Sequence, residues 1–281
     1  MGGLDGPDPP ASGGAGAGGD RRVAGRGVPA TPAAPPLAGA AETPEEKGLR
    51  IATEASEADK GYGDSSSELV MVLRNRNNAE TSRELRIKSL EMPDGSTRAL
   101  VVFDTPKDVR GTALLTYAYS DKEDEQWLFL PAVNRVKRIA GGGQSGPFMG
   151  SEFAFEDMAS QRLEKFTYKH LREEPLGDKT CDVFERYPVN KASGYSKQVV
   201  WMEQGTHCIP KVEYCDRKGT LLKTLSMTEY KLHQEKNWRP GRMEMVNHQT
   251  GKSTLLEWKN YQFRTGLTER DFDQNSLKNV R

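Results

Sequence analysis

Residues 126–158 have the sequence QWLFLPAVNRVKRIAGGGQSGPFMGSEFAFEDM, which contains two strand patterns, a glycine-rich link and a cluster of Phe and Met. The first strand pattern, 127–130, is apolar and stops at Pro131, and the second, 135–139, alternates apolar with basic residues. The link over 141–146 bends freely because glycine lacks a Cβ. Phe and Met side chains adapt to irregular apolar surfaces. We therefore predict a flap at 141–158, typical of a site for an apolar ligand with a polar head, although the same side chains are also typical of ordinary core.

Most of the remaining chain alternates apolar and polar residues between turn signals such as Pro93-Asp94-Gly95 and Gln249-Thr250-Gly251. The candidate strands are 68–75, 81–92, 96–104, 112–120, 125–130, 135–139, 163–173, 179–187, 195–203, 209–216, 221–233, 242–247 and 253–262. This alternation indicates that one face of each strand is buried and the other is exposed to solvent. So many strands in about 240 residues predict a mainly β fold, either one large curled antiparallel sheet, a barrel or a sandwich.

A helix is predicted at the start of the folded part, because Thr43, Pro44 and Glu46 fit a capping box with proline at the first helical position. Gly61 and Gly63 follow its end. A second, short helix is predicted at 156–162, and the tail at 267–275 is predicted to form a turn or short helix. A single sheet lacks a second sheet to cover it, so it must curl over these helices to bury its apolar face.

Composition narrows the function classes. The 40 basic and 40 acidic side chains give a net charge of zero, which argues against a nucleic-acid partner. Residues 1–41 are roughly two-thirds Gly, Pro and Ala, so we predict a disordered tail there and a single domain at 42–281. Within this tail, residues 28–36 are too rich in proline to serve as the apolar core of a secretory signal.

Catalytic and metal motifs are not evident. Cys181, Cys208 and Cys215 are odd in number and form no C-x-x-C pair, so Cys181 pairs with one of the others or all three are buried free thiols. The four histidines lie outside the contexts typical of metalloproteases and serine hydrolases. We therefore predict that the protein is no enzyme and has no catalytic residue, no metal and no cofactor.

The segments WLFLPAVNRVKRI and FMGSEFAFEDM, joined by a small-residue link, resemble the signature of the LolA-like outer-membrane lipoprotein-sorting family. The branch resembled is the one found near efflux-type membrane transporters. Four further segments resemble the family in the same order: DKGYGD at 59–64, FDTP at 103–106, VRGTALL at 109–115 and DRKGTLLK at 216–223. The resemblance extends from about residue 42 to the C-terminus. It implies a half-open β-barrel of about eleven antiparallel strands with helices covering the concave face.

The same resemblance implies a periplasmic carrier that shelters the acyl chains of a lipoprotein or lipid and moves them towards the outer membrane. Its expected partners are an inner-membrane transporter and an outer-membrane acceptor, and we expect a monomer. The alternative is a non-catalytic adaptor of an envelope transporter complex that carries no lipid. An accessible apolar cavity and bound lipid would distinguish the carrier from the adaptor.

Roles for individual residues follow as predictions. Seven apolar residues are predicted to line or gate the cavity: Trp127, Phe129, Phe148, Met149, Phe153, Phe155 and Met158. Arg135 and Arg138 are predicted at a polar mouth, with a solvated strand face as the alternative. Asp157 is predicted to pair with one of these arginines and latch the flap. Glycines at both ends would let the flap open between Gly141 and Gly150.

Overall fold

Thirteen strands form one antiparallel sheet in the computed structural model, which describes residues 41–279. The strands are β1 Asp64–Arg74, β2 Glu80–Glu91, β3 Thr97–Thr105, β4 Ala113–Ala118, β5 Glu125–Leu130, β6 Arg135–Ile139, β7 Phe166–Leu176, β8 Lys179–Pro188, β9 Tyr195–Glu203, β10 Lys211–Asp216, β11 Leu221–Thr228, β14 Arg242–Asn247 and β15 Ser253–Phe263. A separate hairpin consists of β12 Lys231–His233 and β13 Asn237–Arg239. The predicted disordered tail lies, except for Ala41, outside the described residues and stays a prediction.

The sheet order is β6-β5-β4-β3-β2-β1-β15-β14-β11-β10-β9-β8-β7, so β6 and β7 are its two edges. These edges do not pair with each other within the described residues, and the sheet is a curled half-barrel that stays open. The mainly β fold class is therefore confirmed. Twelve of the thirteen candidate segments correspond to one strand of this sheet each, whereas segment 221–233 covers β11 and also β12 of the separate hairpin. The count of about eleven implied by the family resemblance is too low.

The predicted N-terminal helix, α1, runs over Pro44–Asp59. Thr43 and Glu46 form the reciprocal capping box: the Glu46 N–H donates to Thr43 Oγ1 at 3.2 Å, and the Thr43 N–H donates to Glu46 Oε2 at 2.8 Å. The buried face of α1 carries Gly48, Ile51 and Ala52. A Cβ on Gly48 would lie 2.9 Å from the backbone nitrogen of His170, so the helix rests directly on β7. No helix within residues 41–279 has the length and apolar character needed to span a membrane.

The predicted helix at 156–162 is wrong. The chain makes a 3₁₀ turn at Phe155–Met158 and then continues in extended conformation. Asp157 caps the start of this turn by accepting from the Ala154 N–H at 2.7 Å, and Glu156 is bound by the loop before β9, which ties the chain to the sheet after a single turn. The tail does form turns, at Glu269–Phe272 and Gln274–Asn279, as predicted.

The sheet buries side chains on both of its faces, although the second face is covered only in part. We call the face that meets α1 and the flap the inner face; its buried side chains form one continuous core that includes Ile51, Leu114, Leu128 and Phe184. On the opposite, outer face, the C-terminal tail covers a second core, made of Leu100, Val102, Ala113, Leu115, Trp127, Phe129, Phe272 and Leu277. The prediction that one face of the sheet is exposed to solvent is therefore wrong over β3–β6. All three cysteines are buried free thiols, the second of the two alternatives.

Candidate functional site

A cavity of about 810 Å³ lies between α1, the inner face of the sheet, the β12–β13 hairpin and the chain that follows the flap. Helix α1 contributes Ala52 and Ala55, whose small side chains leave space between the helix and the sheet. Strands β8, β9 and β11 contribute Phe184, Met202 and Met227 to its wall. The volume falls within the range of small-molecule binding sites in proteins.

Methionine dominates the apolar wall of this cavity. Five of the nine methionines of the chain line it: Met92, Met158, Met202, Met227 and Met243. Methionine is unbranched and polarisable, so such a wall can adjust to apolar groups of different shape. The cavity is thus suited to flexible hydrocarbon rather than to one rigid ligand.

Of the seven residues predicted to line or gate a cavity, only Met158 lines this one among the described residues. Phe148, Phe153 and Phe155 are 0%, 4% and 8% exposed and pack into the inner core, and Met149 packs against the same core. The prediction for Trp127 and Phe129 is wrong, since both lie in the outer core beneath the C-terminal tail. Strand alternation explains the difference, because their neighbour Leu128 points to the inner face.

Neither arginine predicted at a polar mouth lines the large cavity. Arg135 is exposed on β6. Arg138 donates from Nη2 to Glu125 Oε1 at 3.0 Å, and its side chain is 60% exposed. These positions match the solvated strand face that was the alternative interpretation of both residues.

The predicted pairing of Asp157 with Arg135 or Arg138 is wrong, because its partner is Lys223 on β11. Lys223 Nζ lies 2.8 Å from Asp157 Oδ2, and the two side chains are only 4% and 6% exposed. The Tyr195 hydroxyl donates to the same carboxylate at 2.8 Å, and Lys223 Nζ also donates to the Glu152 carbonyl at 2.9 Å. We call Asp157, Lys223 and Tyr195 the latch. It joins the flap to the inner face by buried charge and hydrogen bonds.

The two other acids of the flap are also fixed to the sheet or to its loops. Glu152 Oε2 accepts from Asn247 Nδ2 at 2.7 Å. Glu156 accepts from the Ser193 hydroxyl at 2.6 Å and from the Gly194 N–H at 2.8 Å. Burial raises the pKa of Glu156 above its ordinary value. All three flap acids are therefore held by the sheet and its loops.

The latch belongs to a row of polar side chains that crosses the inner face. Strand register aligns Arg186, Gln198, Tyr214, Lys223 and Asn247 on β8, β9, β10, β11 and β14. This row is hard to detect in the sequence because each strand contributes only one member. The available signal was the alternation within each strand, which places these polar residues on the apolar face.

With the cavity and latch described, comparison with known proteins identifies the family. The chain is 47% identical to a proposed outer-membrane lipoprotein-sorting protein domain from Vibrio parahaemolyticus, over 83% of this chain and 99% of that one, with a TM-score of 0.81. The chain belongs to the LolA-like outer-membrane lipoprotein-sorting family. A family model described as "Uncharacterized protein" also matches residues 95–279. No curated protein sequence matches the chain.

Two further structures resemble this LolA-like protein. A DUF1329 family protein from Desulfovibrio piger is 29% identical over 84% of this chain and 99% of that one, with a TM-score of 0.79. A LolA superfamily protein from Nitrosomonas europaea is 20% identical over 81% of this chain and 98% of that one, with a TM-score of 0.66, and shares the fold.

A second cavity of the LolA-like domain, of about 710 Å³, lies next to the first. Asp124, Lys165, Glu156 and Gln198 are among the residues that line it. Residues 159–164 separate it from the first cavity, since Ala159, Gln161 and Glu164 line both. This segment is therefore the wall that the two cavities share.

One cluster of the LolA-like domain has the donor types of a metal site. The ligand atoms of His170, Glu173 and Asp182 lie within 4.8 Å of one another. Lys47 already occupies it, however, because its Nζ lies 2.8 Å from Glu173 Oε1 and 3.9 Å from Asp182 Oδ1. The ammonium group supplies the positive charge that a metal ion would bring, so the cluster fits an ion-pair network better than a metal centre.

Proposed function

We propose that the protein is a periplasmic carrier that holds the acyl chains of a lipoprotein or lipid in the 810 Å³ cavity and moves them towards the outer membrane. It makes and breaks no covalent bond. An inner-membrane transporter supplies the cargo and an outer-membrane acceptor receives it. Family membership supports this role, and the protein domain it resembles at 47% identity is itself described as one for outer-membrane lipoprotein sorting.

The observation that carries the proposal is the methionine-lined cavity between α1 and the sheet. Core side chains normally pack without voids much larger than a water molecule. Each methylene group transferred from water into such a space contributes about 0.8 kcal/mol. A long acyl chain is thus held by its buried area alone, and release requires that the cavity change shape.

The latch gives that change a physical basis. Breaking the contact between Asp157 and Lys223 would free the chain that follows the flap, in which Met158 and residues 159–164 form one wall of the cavity. The three buried Phe side chains of the flap resist a wider movement, since each stabilises the closed state by about 1.5–3 kcal/mol. We therefore place the opening at residues 158–164, with the hinge between Gly141 and Gly150 as the larger alternative movement.

The test is native mass spectrometry with lipid extraction on protein purified gently from an exported form, followed by uptake of a fluorescent fatty acid. Ala55→Trp places an indole in the cavity from α1 and should abolish co-purifying lipid. Leu49→Trp is the matched control, because Leu49 is a 48% exposed residue of the same helix outside the cavity wall. The control should bind lipid as the unmodified protein does.

A clean apo mass together with no fatty-acid uptake by the unmodified protein would overturn the carrier proposal. That result would favour the adaptor, which needs a partner surface and no cavity. Equal lipid binding by Ala55→Trp and Leu49→Trp would show that lipid binds elsewhere, and would overturn the assignment of this cavity.

A further inference from the structure

One cation of the cavity wall has no acidic partner. Arg186 on β8 is 8% exposed and lines the cavity. Its Nε donates to Gln198 Oε1 at 2.7 Å, its Nη2 lies 3.4 Å from Gln161 Oε1, and its guanidinium lies 4.6 Å from the Phe166 ring centroid. Both oxygen partners are neutral amides. Within residues 41–279, no carboxylate oxygen comes within 4.0 Å of its nitrogens.

Burial of this guanidinium is energetically unfavourable without a counter-charge, because arginine cannot discard its proton in a protein. Burial accordingly lowers the pKa of Arg186, because it disfavours the charged form of the side chain. The nearby carboxylate of Asp157 is already engaged by Lys223 and Tyr195. In this state the Nη1 group of Arg186 donates to no other described residue. The side chain therefore retains hydrogen-bonding capacity for an anion.

The cavity wall as a whole carries more basic than acidic side chains. Six basic and three acidic side chains line the cavity: Lys60, Arg98, Arg162, Arg186, Lys236 and Arg239 against Asp59, Glu91 and Glu164. The acids are already occupied. Asp59 pairs with Arg239, Glu164 lies 3.6 Å from Arg162, and Glu91 accepts from the Gly61 and Gly63 N–H groups at 3.0 and 2.7 Å.

Arg98 adds a second free cation on the wall. Its Nη1 donates to Ser96 Oγ at 3.1 Å, and its guanidinium lies 4.1 Å from the Tyr117 ring centroid. It forms no ion pair with any residue in the described part of the chain. A wall that has twice as many cations as acids, and in which Arg186 and Arg98 have no ion pair among the described residues, fits an amphiphile with a negative head better than a neutral one.

We infer that the cargo is an acidic lipid, and that Arg186 binds its anionic head, a phosphate or a carboxylate, while the acyl chain occupies the methionine-lined space. This inference rests on the proposed carrier function and names the class of its cargo. The planar guanidinium can donate two parallel hydrogen bonds to either group, which gives orientation as well as charge. The anion also supplies the counter-charge that Arg186 lacks.

The experiment compares lipids that share an acyl chain and differ in whether the head group is anionic. Palmitate is matched with its methyl ester, and palmitoyl lysophosphatidic acid with monopalmitoylglycerol, by displacement of a fluorescent acyl probe from the full protein. Each acidic lipid should bind about tenfold to a hundredfold more tightly than its neutral match, as expected for hydrogen bonds to a charged group. The acid with the larger preference identifies the head as carboxylate or phosphate.

Variants then assign the preference to one side chain. Arg186→Met should remove the preference for both acids while leaving affinity for the neutral lipids unchanged, and Arg186→Lys should keep part of it. Arg242→Met is the control, because Arg242 pairs with Glu257 at 2.7 Å outside the cavity wall. It should leave every affinity unchanged.

Three outcomes would overturn the inference. Equal binding of acidic and neutral lipids by the unmodified protein would refute the anionic cargo while leaving the carrier proposal intact. A preference that survives in Arg186→Met would refute the role of Arg186. Binding of none of the four lipids would overturn the inference and the carrier proposal together. The first comparison needs no variant, so a misfolded variant cannot hide the result.

Discussion

Lys223→Met tests the latch most directly, because methionine keeps much of the side-chain volume and removes only the ammonium group. The substitution leaves the Asp157 carboxylate 6% exposed with the Tyr195 hydroxyl and the Ala154 N–H as its partners. Removing one member of a buried ion pair leaves an uncompensated charge and destabilises proteins by about 3–5 kcal/mol. We expect a loss in this range from Lys223→Met, and a similar loss from Asp157→Asn.

The double variant separates pairing from general damage. If the two groups stabilise each other, the combined loss should be smaller than the sum of the single losses by about 0.5–3 kcal/mol. Urea unfolding gives the free energies, and hydrogen exchange of the flap amides shows whether the loss is local. Arg242→Met provides the surface comparison, since the side chains of that pair are 33% and 40% exposed and should contribute at most about 1 kcal/mol. Strictly additive losses, or single losses as small as this control, would refute the latch.

Two further predictions concern other parts of the fold. Gly48→Ala should lower the Tm, because the alanine Cβ would lie 2.9 Å from the β7 backbone. This clash should outweigh the gain of about 1 kcal/mol in helix propensity. A higher Tm would contradict the close packing of α1 on β7. Burial raises the pKa of Glu156 above its ordinary value of 4.5. The stability that the protonated Glu156 side chain contributes to the fold is therefore complete below about pH 4.5, and it is lost as the pH rises through the raised pKa. Glu156→Gln should therefore become more stable relative to the unmodified protein between pH 4 and pH 7 in urea titrations, and a constant difference would contradict the shift.

The sheet could be predicted from sequence because alternation is a local signal. Thirteen segments show it, and each contains one strand of the sheet, although segment 221–233 also runs into β12. Which faces become covered is not local. The alternation separates Trp127 and Phe129 from Leu128, but nothing near them shows that Phe272, more than 140 positions later, covers their side of the sheet. The outer core therefore escaped prediction.

The site was harder to predict for the same reason. The sequence-based prediction paired Asp157 with Arg135 or Arg138 of the same motif, whereas the sheet brings Lys223 to it from 66 positions away. The methionines of the cavity come from separate strands and loops, so no single stretch shows them together. Arg186 could have been found, because alternation in β8 places it on the same face as Phe184.

The two unpaired edges of the half-barrel affect how copies of the protein meet in solution. An exposed edge strand has free backbone donors and acceptors that can template the addition of another chain. Here β6 has Arg135, Lys137 and Arg138 exposed along one edge, and β7 at the other edge contains Pro175, which lacks an N–H to donate. Like charges and a missing donor oppose edge-to-edge polymerisation. The basic strand predicted at a ligand's mouth thus has a different physical effect, which is to disfavour pairing between the exposed sheet edges of two copies.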